Sequence, residues 1–249
     1  MKRVRTKDGS INLFHGDCID VMKLLQDIQV DMIYTDLPYG KTGNEWDKII
    51  PFDKMWNGYN RLAKEDAAIV LHSDEPFTSK LVMSNLDCYR HRWIWNKNNS
   101  AGFQLAKKRP FQICEDILVF GKSSPKYYPK MEVRGKPRYK GGYSASTNYD
   151  GMKPTMCEEP SNEYYPKNLI EISNAYQHGK LNPTQKPLEL AKYLIETYTL
   201  EGDTVLDTCM GSGTSAEACI ELGRRFIGID IEEKSFNICR ERVINALKR

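Results

Sequence analysis

The chain has 249 residues, of which 40% are hydrophobic and 28% are charged, and its net charge is +3. These values are ordinary for a globular protein and predict one α/β domain with an insertion. The basic N-terminus is followed by no apolar stretch of signal-peptide length, and no run of transmembrane length occurs. We therefore expect a cytoplasmic protein without a membrane partner.

Cysteine and histidine usage limits the chemistry further. Seven cysteines, an odd number with no C-x-x-C pair, lie mostly within apolar runs, so we expect buried thiols. The four histidines are isolated and show no metal-ligand spacing. We therefore expect no metal site.

Apolar residues in the first half of the chain alternate between helical spacing and short buried runs, which predicts a mostly parallel sheet covered by helices. The first predicted helix faces the core with four apolar residues at helical spacing, Val21, Leu24, Leu25 and Ile28. A strand at 30–34 follows it. The other predicted elements of this half are a helix at 52–63, a strand at 67–72, a helix starting near Pro76, and strands at 92–96 and 115–120.

Directly after the strand at 30–34 stands Asp36-Leu37-Pro38-Tyr39, which places a carboxylate, a proline-stiffened carbonyl and an aromatic face at one strand end. An exocyclic amine on a nucleobase is a poor nucleophile because its lone pair is delocalised into the ring, so a catalyst must accept its hydrogens. Asp36 and the main-chain carbonyl beside Pro38 suit that task, and Tyr39 offers a ring on which a flipped base can stack. Taken alone, the tetrapeptide more often marks a strand that ends in a turn.

Between 121 and 177 the periodicity collapses into a basic, tyrosine-rich segment that is too long for an ordinary connection. Its stretch from Lys122 to Lys153 holds eight cations and two anions, so the positive charge is local. A disordered surface insertion and an arm that contacts nucleic acid are both compatible with this composition, and the interleaved tyrosines favour the arm. The cations predicted to contact DNA are Lys107, Lys108, Arg109, Lys126, Lys130, Arg134, Lys136, Arg138 and Lys140.

Regular periodicity returns after the basic segment. A helix begins at Pro187, with an apolar face formed by Leu188, Ala191, Ile195 and Tyr198. The elements predicted after it are a strand at 203–207, a helix that ends at Gly223, a strand at 225–229, and a final helix that carries Phe236, Cys239, Val243 and Leu247 inward.

The segment Gly211-x-Gly213-x-x-Ala216 lies between the first of these strands and its helix, as a nucleotide-binding loop does. Asp230 stands nineteen residues after Gly211 at the next strand end, where it can accept hydrogen bonds from ribose hydroxyls. A Walker A loop is excluded because no lysine follows the glycines. A dinucleotide such as NAD also satisfies the loop, but it leaves the tetrapeptide at Asp36 and the basic arm unexplained, whereas S-adenosyl-L-methionine accounts for all three.

Together these motifs resemble the amino-group DNA methyltransferases of the permuted beta group, in which the catalytic half precedes the cofactor loop. The resemblance covers nearly the whole chain and implies a Rossmann-like class I methyltransferase fold with a mostly parallel, doubly wound sheet and circularly permuted motif order. It implies a catalytic half at 1–121, a target-recognition insertion at 122–180 and a cofactor-binding half at 181–249. Because ligands bind at the carboxyl ends of the strands, Asp36 and Gly211 are expected to share one crevice.

The resemblance also assigns the site residues. It implies catalytic roles for Asp36, Pro38 and Tyr39. The residues that it implies for cofactor binding are Asp17, Asp36, Thr184, Gln185, Lys186, Asp207, Gly211, Ser212, Gly213, Thr214 and Asp230. Two positions depart from the family pattern: Leu37 stands where a smaller apolar residue is usual, and Cys209 stands where phenylalanine is expected.

The expected activity is methylation of the adenine N6 amine in duplex DNA, by base flipping and direct displacement, because Asp at the first motif position favours adenine. Alternatives are cytosine-N4 methylation, methylation of RNA or of a protein glutamine, and a DNA-binding regulator with an inactive methyltransferase fold. The glycine-rich loop at 40–47 is interpreted equally well as a lid over the flipped base or as a plain surface turn. The resemblance further implies a homodimer and a cognate restriction endonuclease as expected partners.

Overall fold

A computed structural model of the protein describes residues 1–25, 28–101, 106–139, 159–174 and 185–249. The chain forms two units, one comprising 1–128 with 168–249 and the other comprising 129–167. The second unit falls within the predicted insertion at 122–180, whose boundaries stay a prediction.

The first unit carries all six α-helices found in the described residues, a short 3-10 helix (Leu86–Cys88) and nine strands. Its elements are β1 (Lys2–Arg5), β2 (Ile11–His15), α1 (Cys18–Leu24), β3 (Val30–Asp36), α2 (Phe52–Leu62), β4 (Ala63–Ser73), α3 (Phe77–Met83), β5 (Tyr89–Ala101), β6 (Gln112–Phe120), β9 (Leu169–Glu171), α4 (Leu188–Tyr198), β10 (Thr204–Asp207), α5 (Thr214–Glu221), β11 (Arg225–Asp230) and α6 (Glu233–Ala246). The second unit contains β7 (Glu132–Arg138) and β8 (Ser161–Tyr164), which pair antiparallel.

Nine strands form one sheet in the order β1-β2-β11-β10-β3-β4-β6-β5-β9. The five strands from β2 to β4 in this order are parallel, and β6 pairs antiparallel with both β4 and β5. Because parallel strands end at the same edge, β3, β10 and β11 deliver their last residues side by side. The predicted α/β fold with a mostly parallel, doubly wound sheet is confirmed.

Each face of the sheet is covered by three helices, and the alternation along β3 decides which residues meet which helices. Met32 and Tyr34 belong to the core cluster that includes α4, α5 and α6. Ile33, between them in sequence, belongs to the opposite cluster with α1, α2 and α3. Strands buried on both faces explain why the sequence shows continuous apolar runs in place of an alternating pattern.

Two predicted core positions are wrong. Leu24 is 62% exposed because α1 also buries Met22, and this moves the centre of the inner face toward Leu25 and away from Leu24. Leu247 is 51% exposed because α6 ends one residue earlier, and Ala246 fills the last inward position. Both errors arise where a helix is shorter than its apolar pattern.

Candidate active site

A cavity of about 670 Å³ opens at the carboxyl ends of β3, β10 and β11. It brings together residues that lie far apart in the sequence. The predicted site residues that line it are Asp17, Asp36, Pro38, Tyr39, Gln185, Lys186, Asp207, Gly211, Ser212, Thr214 and Asp230. Thr184 lies outside the described residues, and Gly213 is not part of the cavity wall.

Asp36 is the last residue of β3, and both of its carboxylate oxygens have partners. Tyr39 donates its hydroxyl to Oδ1 at 2.8 Å, and the ammonium of Lys186 donates to Oδ2 at 2.7 Å. Burial raises the pKa of Asp36, but the positive charge of Lys186 and these hydrogen bonds outweigh it and hold the pKa below its ordinary value. At neutral pH the side chain is therefore an ionised hydrogen-bond acceptor.

Tyr39 is fixed by contacts to both its ring and its hydroxyl. The ring stacks on Phe77, with the centroids 5.2 Å apart and the planes inclined by 29°. Burial and the nearby negative charge of Asp36 raise the pKa of the Tyr39 hydroxyl well above its ordinary value, so it stays protonated and donates to Asp36. Phe77 thus supports a ring that also lines the cavity.

Asp207 ends the neighbouring strand β10 in a different environment. It is 4% exposed and accepts hydrogen bonds from the hydroxyls of Thr35 and Ser215 and from the main-chain N–H of Cys209. Burial raises its pKa to about 6, although these three donors act in the opposite direction. The carboxyl group joins β10 to β3 and to the first turn of α5.

The loop after β10 leaves room for a ligand at Gly211. Its φ of +50° lies in the left-handed region, and a Cβ built on it meets no atom within 4 Å. Asp230 braces this turn by accepting the N–H groups of Gly211 and Glu232, each at 2.8 Å. An open glycine and a carboxylate at the adjacent strand end fit a cofactor that carries a ribose, because each carboxylate oxygen keeps a second acceptor site.

Gly213 is glycine for another reason. Its φ is +79°, and a Cβ there would lie 2.6 Å from the sulfur of Cys239 on α6. The second glycine therefore permits close packing of the loop on a helix. The neighbouring Ser212 donates its hydroxyl to Gln185 at 3.1 Å, which ties the segment before α4 to the loop.

Cys209 lines the cavity at the position where the resemblance leads us to expect phenylalanine. Burial raises the pKa of its thiol well above the ordinary value, as does the nearby Asp207 carboxyl group. The thiol is therefore protonated at neutral pH and serves as part of the wall.

Two charged residues of this site were missed in the sequence. Glu115 on β6 lines the cavity, and the ammonium of Lys186 lies 3.5 Å from its Oε2. Lys97 on β5 donates to its Oε1 at 3.0 Å. No local motif links these positions, since the antiparallel pairing of Trp95 with Glu115 sets their distance. The alternating charges continue through Lys186 to Asp36.

The glycine-rich loop at 40–47 is folded around one carboxylate. Asp47 is 7% exposed and accepts the main-chain N–H groups of Gly40, Lys41 and Thr42. Trp46, next to it, is 37% exposed and lines the cavity. The loop therefore forms part of the cavity wall, and the choice between a lid and a plain turn stays open.

The predicted DNA-binding cations differ in their surroundings. Lys107, Lys108 and Arg109 are exposed on the turn before β6, whereas Lys126 pairs with Asp31 and Asp66 at 3.6 and 3.5 Å. Within the second unit, Arg134 pairs with Glu132, and Lys130, Lys136 and Arg138 are exposed. Lys140 lies outside the described residues.

Two kinds of feature are absent from the described part of the chain. Its His, Cys, Asp and Glu side chains form no group of three or more that could hold a metal ion. None of its helices combines the length and the apolar character that a membrane span requires.

Comparisons with known proteins agree with this geometry. The chain is 29% identical to the type II methyltransferase M.HpaI of Haemophilus parainfluenzae, over 93% of this chain and 73% of that protein. It is 28% identical to the DNA adenine methyltransferase YhdJ of Escherichia coli K12, over 89% of this chain and 79% of that protein.

Solved structures give the same result. The M1.HpyAVI-SAM complex matches with a TM-score of 0.65 and 27% identity, covering 94% of this chain and 98% of that one. The cytosine-N4-specific PvuII DNA methyltransferase matches with a TM-score of 0.67 at 14% identity, covering 96% and 92%, and this likeness shows the fold alone. A family model described as DNA methylase matches residues 30–241, so the chain belongs to the DNA methylase family.

Proposed function

We propose that this DNA methylase transfers a methyl group from S-adenosyl-L-methionine to the exocyclic N6 amine of adenine in duplex DNA. The observation that carries the proposal is the end of β3, where an ionised Asp36 and a Tyr39 ring supported by Phe77 line the same cavity as the glycine loop. The adenine specificity named for YhdJ supports the choice of base. The M1.HpyAVI-SAM complex supports the choice of cofactor.

S-adenosyl-L-methionine, when bound, supplies an electrophilic methyl group. We assign its binding to the loop and strand ends around Gly211, with Asp230 as acceptor for ribose hydroxyls and Gln185 tied to the loop through Ser212. Asp207 supports the loop through its hydrogen bonds to Thr35 on β3, to Ser215 on α5 and to the main-chain N–H of Cys209. Asp17 lines the same cavity and also caps α1, where it accepts the N–H of Ile19 at 2.8 Å.

The residues at the end of β3 act on the target base. Asp36 and the main-chain carbonyl beside Pro38 each accept a hydrogen bond from one N–H of the amine, and the nitrogen then presents its lone pair to the methyl group. The nitrogen–methyl bond forms as the methyl–sulfur bond breaks, and the nitrogen then loses one proton by way of Asp36 to solvent. Tyr39 stacks on the flipped base. The base leaves the DNA double helix at a cost of about a few kcal/mol. Holding the amine and the methyl donor in line supplies much of the rate acceleration, and no covalent enzyme intermediate is needed.

Duplex DNA is the partner that this reaction requires, and the family assignment supports it. We assign DNA attraction to the exposed cations before β6 and to the second unit, as part of a recognition insertion at 122–180. The type II methyltransferase M.HpaI is similar to this chain, so we also propose a cognate restriction endonuclease. A homodimer and a cytoplasmic location stay predictions.

The direct test is incubation of the protein with methyl-labelled S-adenosyl-L-methionine and unmodified duplex DNA, followed by nucleoside analysis. We expect label in N6-methyladenosine and its loss in an Asp36→Ala variant. The matched acceptors are single-stranded DNA and RNA of the same sequence. Label in N4-methylcytosine would replace adenine by cytosine as the target, and label in RNA alone would reject duplex DNA as the substrate.

A further inference from the structure

The buried pair Lys97 and Glu115 has no role in the proposed reaction. Their side chains are 7% and 18% exposed, and the ammonium lies 3.0 Å from Oε1 of the carboxylate. Burial of two charges removes much of their hydration, and their attraction often does no more than compensate for this loss. Because Glu115 lines the cavity of the proposed active site, a role for this ion pair beyond stability is expected.

The second carboxylate oxygen of Glu115 lies close to the ammonium of Lys186. Oε2 is shielded from solvent and accepts no hydrogen bond from the described residues. The ammonium of Lys186 lies 3.5 Å away, while it donates to Oδ2 of Asp36 at 2.7 Å. The ammonium thus donates a short hydrogen bond to one carboxylate and forms a longer ion pair with the other.

The target amine changes the balance between these two carboxylates. Asp36 already accepts one hydrogen bond on each oxygen, from Tyr39 and from Lys186. An amine that also donates to Asp36 competes with Lys186 for the same negative charge. A displacement of Lys186 of less than about 1 Å brings its ammonium to Glu115 at ordinary hydrogen-bond length.

We propose that Glu115 is a positioning residue that takes over the ammonium of Lys186 when the target amine binds Asp36, and that Lys97 holds Glu115 in place for this exchange. The inference rests on the proposed function, because it needs Asp36 as the acceptor of the amine. No proton moves and no covalent bond changes in this step. Two cations and two anions stay together throughout, so the buried charge remains balanced.

The test compares variants under single-turnover conditions, with duplex DNA and S-adenosyl-L-methionine saturating. Glu115→Gln keeps the shape of the side chain but gives Lys186 a neutral acceptor, so we expect the methyl-transfer rate to fall about tenfold to a hundredfold, the range for a hydrogen bond to a charged group. The affinity for S-adenosyl-L-methionine, measured by calorimetry, should change less than about twofold. Glu115→Asp keeps the charge and should give a rate above that of Glu115→Gln.

A double variant separates the exchange from a purely structural role. When Lys186→Met has removed the ammonium, Glu115 has nothing left to receive, so adding Glu115→Gln should lower the rate no further. The control is Asp116→Asn, which alters the next carboxylate on β6, paired with Thr78 and Arg92, and should leave the rate unchanged.

Three results would overturn the inference. They are a rate within twofold of the wild type in a folded Glu115→Gln protein, a fall in cofactor affinity as large as the fall in rate, and fully additive losses in the double variant. If Glu115→Gln does not fold, Glu115→Asp and the double variant decide the question. Failure of the proposed function is distinguishable, because the wild-type protein would then methylate no adenine.

Discussion

The ends of β3 and β10 are adjacent in the sheet, and each carries an aspartate. The pKa of one carboxyl group is lowered from the ordinary value, and the pKa of the other is raised. The strands are parallel neighbours, with Ile33 beside Leu206. The pKa of Asp36 lies below its ordinary value, whereas that of Asp207 is raised to about 6. This difference in pKa arises between two residues that end adjacent strands at the same edge of the sheet.

The partners of each carboxyl group explain the difference. Burial favours the neutral form of both, but Asp36 lies against the full positive charge of Lys186. Asp207 is surrounded by neutral donors, which offset burial only in part, and the charge of Asp36 adds to the rise. A cation therefore decides which of these two carboxyl groups is reliably ionised.

Two neighbouring strand ends can therefore carry the same residue type and serve different purposes. A side chain that remains ionised and borders the cavity suits repeated contact with a substrate amine. One that is enclosed by hydroxyls suits the support of the cofactor loop. From these surroundings we assign Asp36 to the proposed reaction and Asp207 to the framework, although the residue types are identical.

The largest expected effect is on the pH dependence of the free energy of unfolding in an Asp207→Asn variant. It tests whether the two aspartates differ in pKa as described. A pKa raised in the folded state means that the folded protein binds this proton more tightly, so the contribution of Asp207 is present below about pH 4 and is lost as pH rises through about 6. The variant lacks this titration. Relative to wild type, its free energy of unfolding should improve by about 3 kcal/mol between pH 4 and pH 7, since one pKa unit corresponds to about 1.36 kcal/mol.

Chemical denaturation at a series of pH values measures this change, and Asp36→Asn is its matched control. Because the pKa of Asp36 is lowered, its stabilising contribution is present above the unfolded-state pKa and is lost as pH falls through the folded-state pKa. The two variants should thus differ from wild type with opposite pH trends. Parallel trends would reject the contrast between the strand ends.

A smaller effect is expected from Lys186→Met, which removes the cation that makes Asp36 acidic. The pKa of Asp36 should rise toward the value that burial alone favours, so the acid side of the rate profile should move to higher pH. The loss of a charge-assisted hydrogen bond should lower the rate about tenfold near neutral pH. Single-turnover rates between pH 5 and 9 test this, with Lys192→Met on α4 as a control that pairs with Glu221 outside the cavity. An unmoved acid limb would show that Lys186 does not control the ionisation of Asp36.

Much of the fold and of the strand-end site was predictable from the sequence, because both depend on local signals. The apolar run before Asp36, the glycines after β10 and the acid at the end of β11 follow one another at short spacing, and the strand-end rule places them together. The helix bounds of α2 and α4 agree with the predicted periodicity. The family and fold predictions that rested on these motifs are confirmed.

Long-range pairing accounts for what was missed. Glu115 faces the cavity because β6 pairs antiparallel with both β4 and β5, and a single sequence does not reveal that register. The same limit applies to charge: counting cations in the basic segment gave no indication that Lys126 is already paired with Asp31 and Asp66. Predicting which charges are free requires the tertiary structure.

The smallest expected effect concerns the affinity for DNA of exposed and of paired lysines, which lie away from the two strand ends. Lys108 is exposed before β6, so Lys108→Gln should weaken duplex binding about twofold to threefold and reduce the slope of log affinity against log salt by about 0.9, the value for one phosphate contact. Lys126→Gln should leave that slope unchanged, because its ammonium already neutralises carboxylates of the protein. Binding titrations with a duplex between 50 and 200 mM salt measure both variants. Equal slopes for the two would mean that pairing within the chain does not withdraw a cation from DNA, and the distinction between free and paired lysines would then fail.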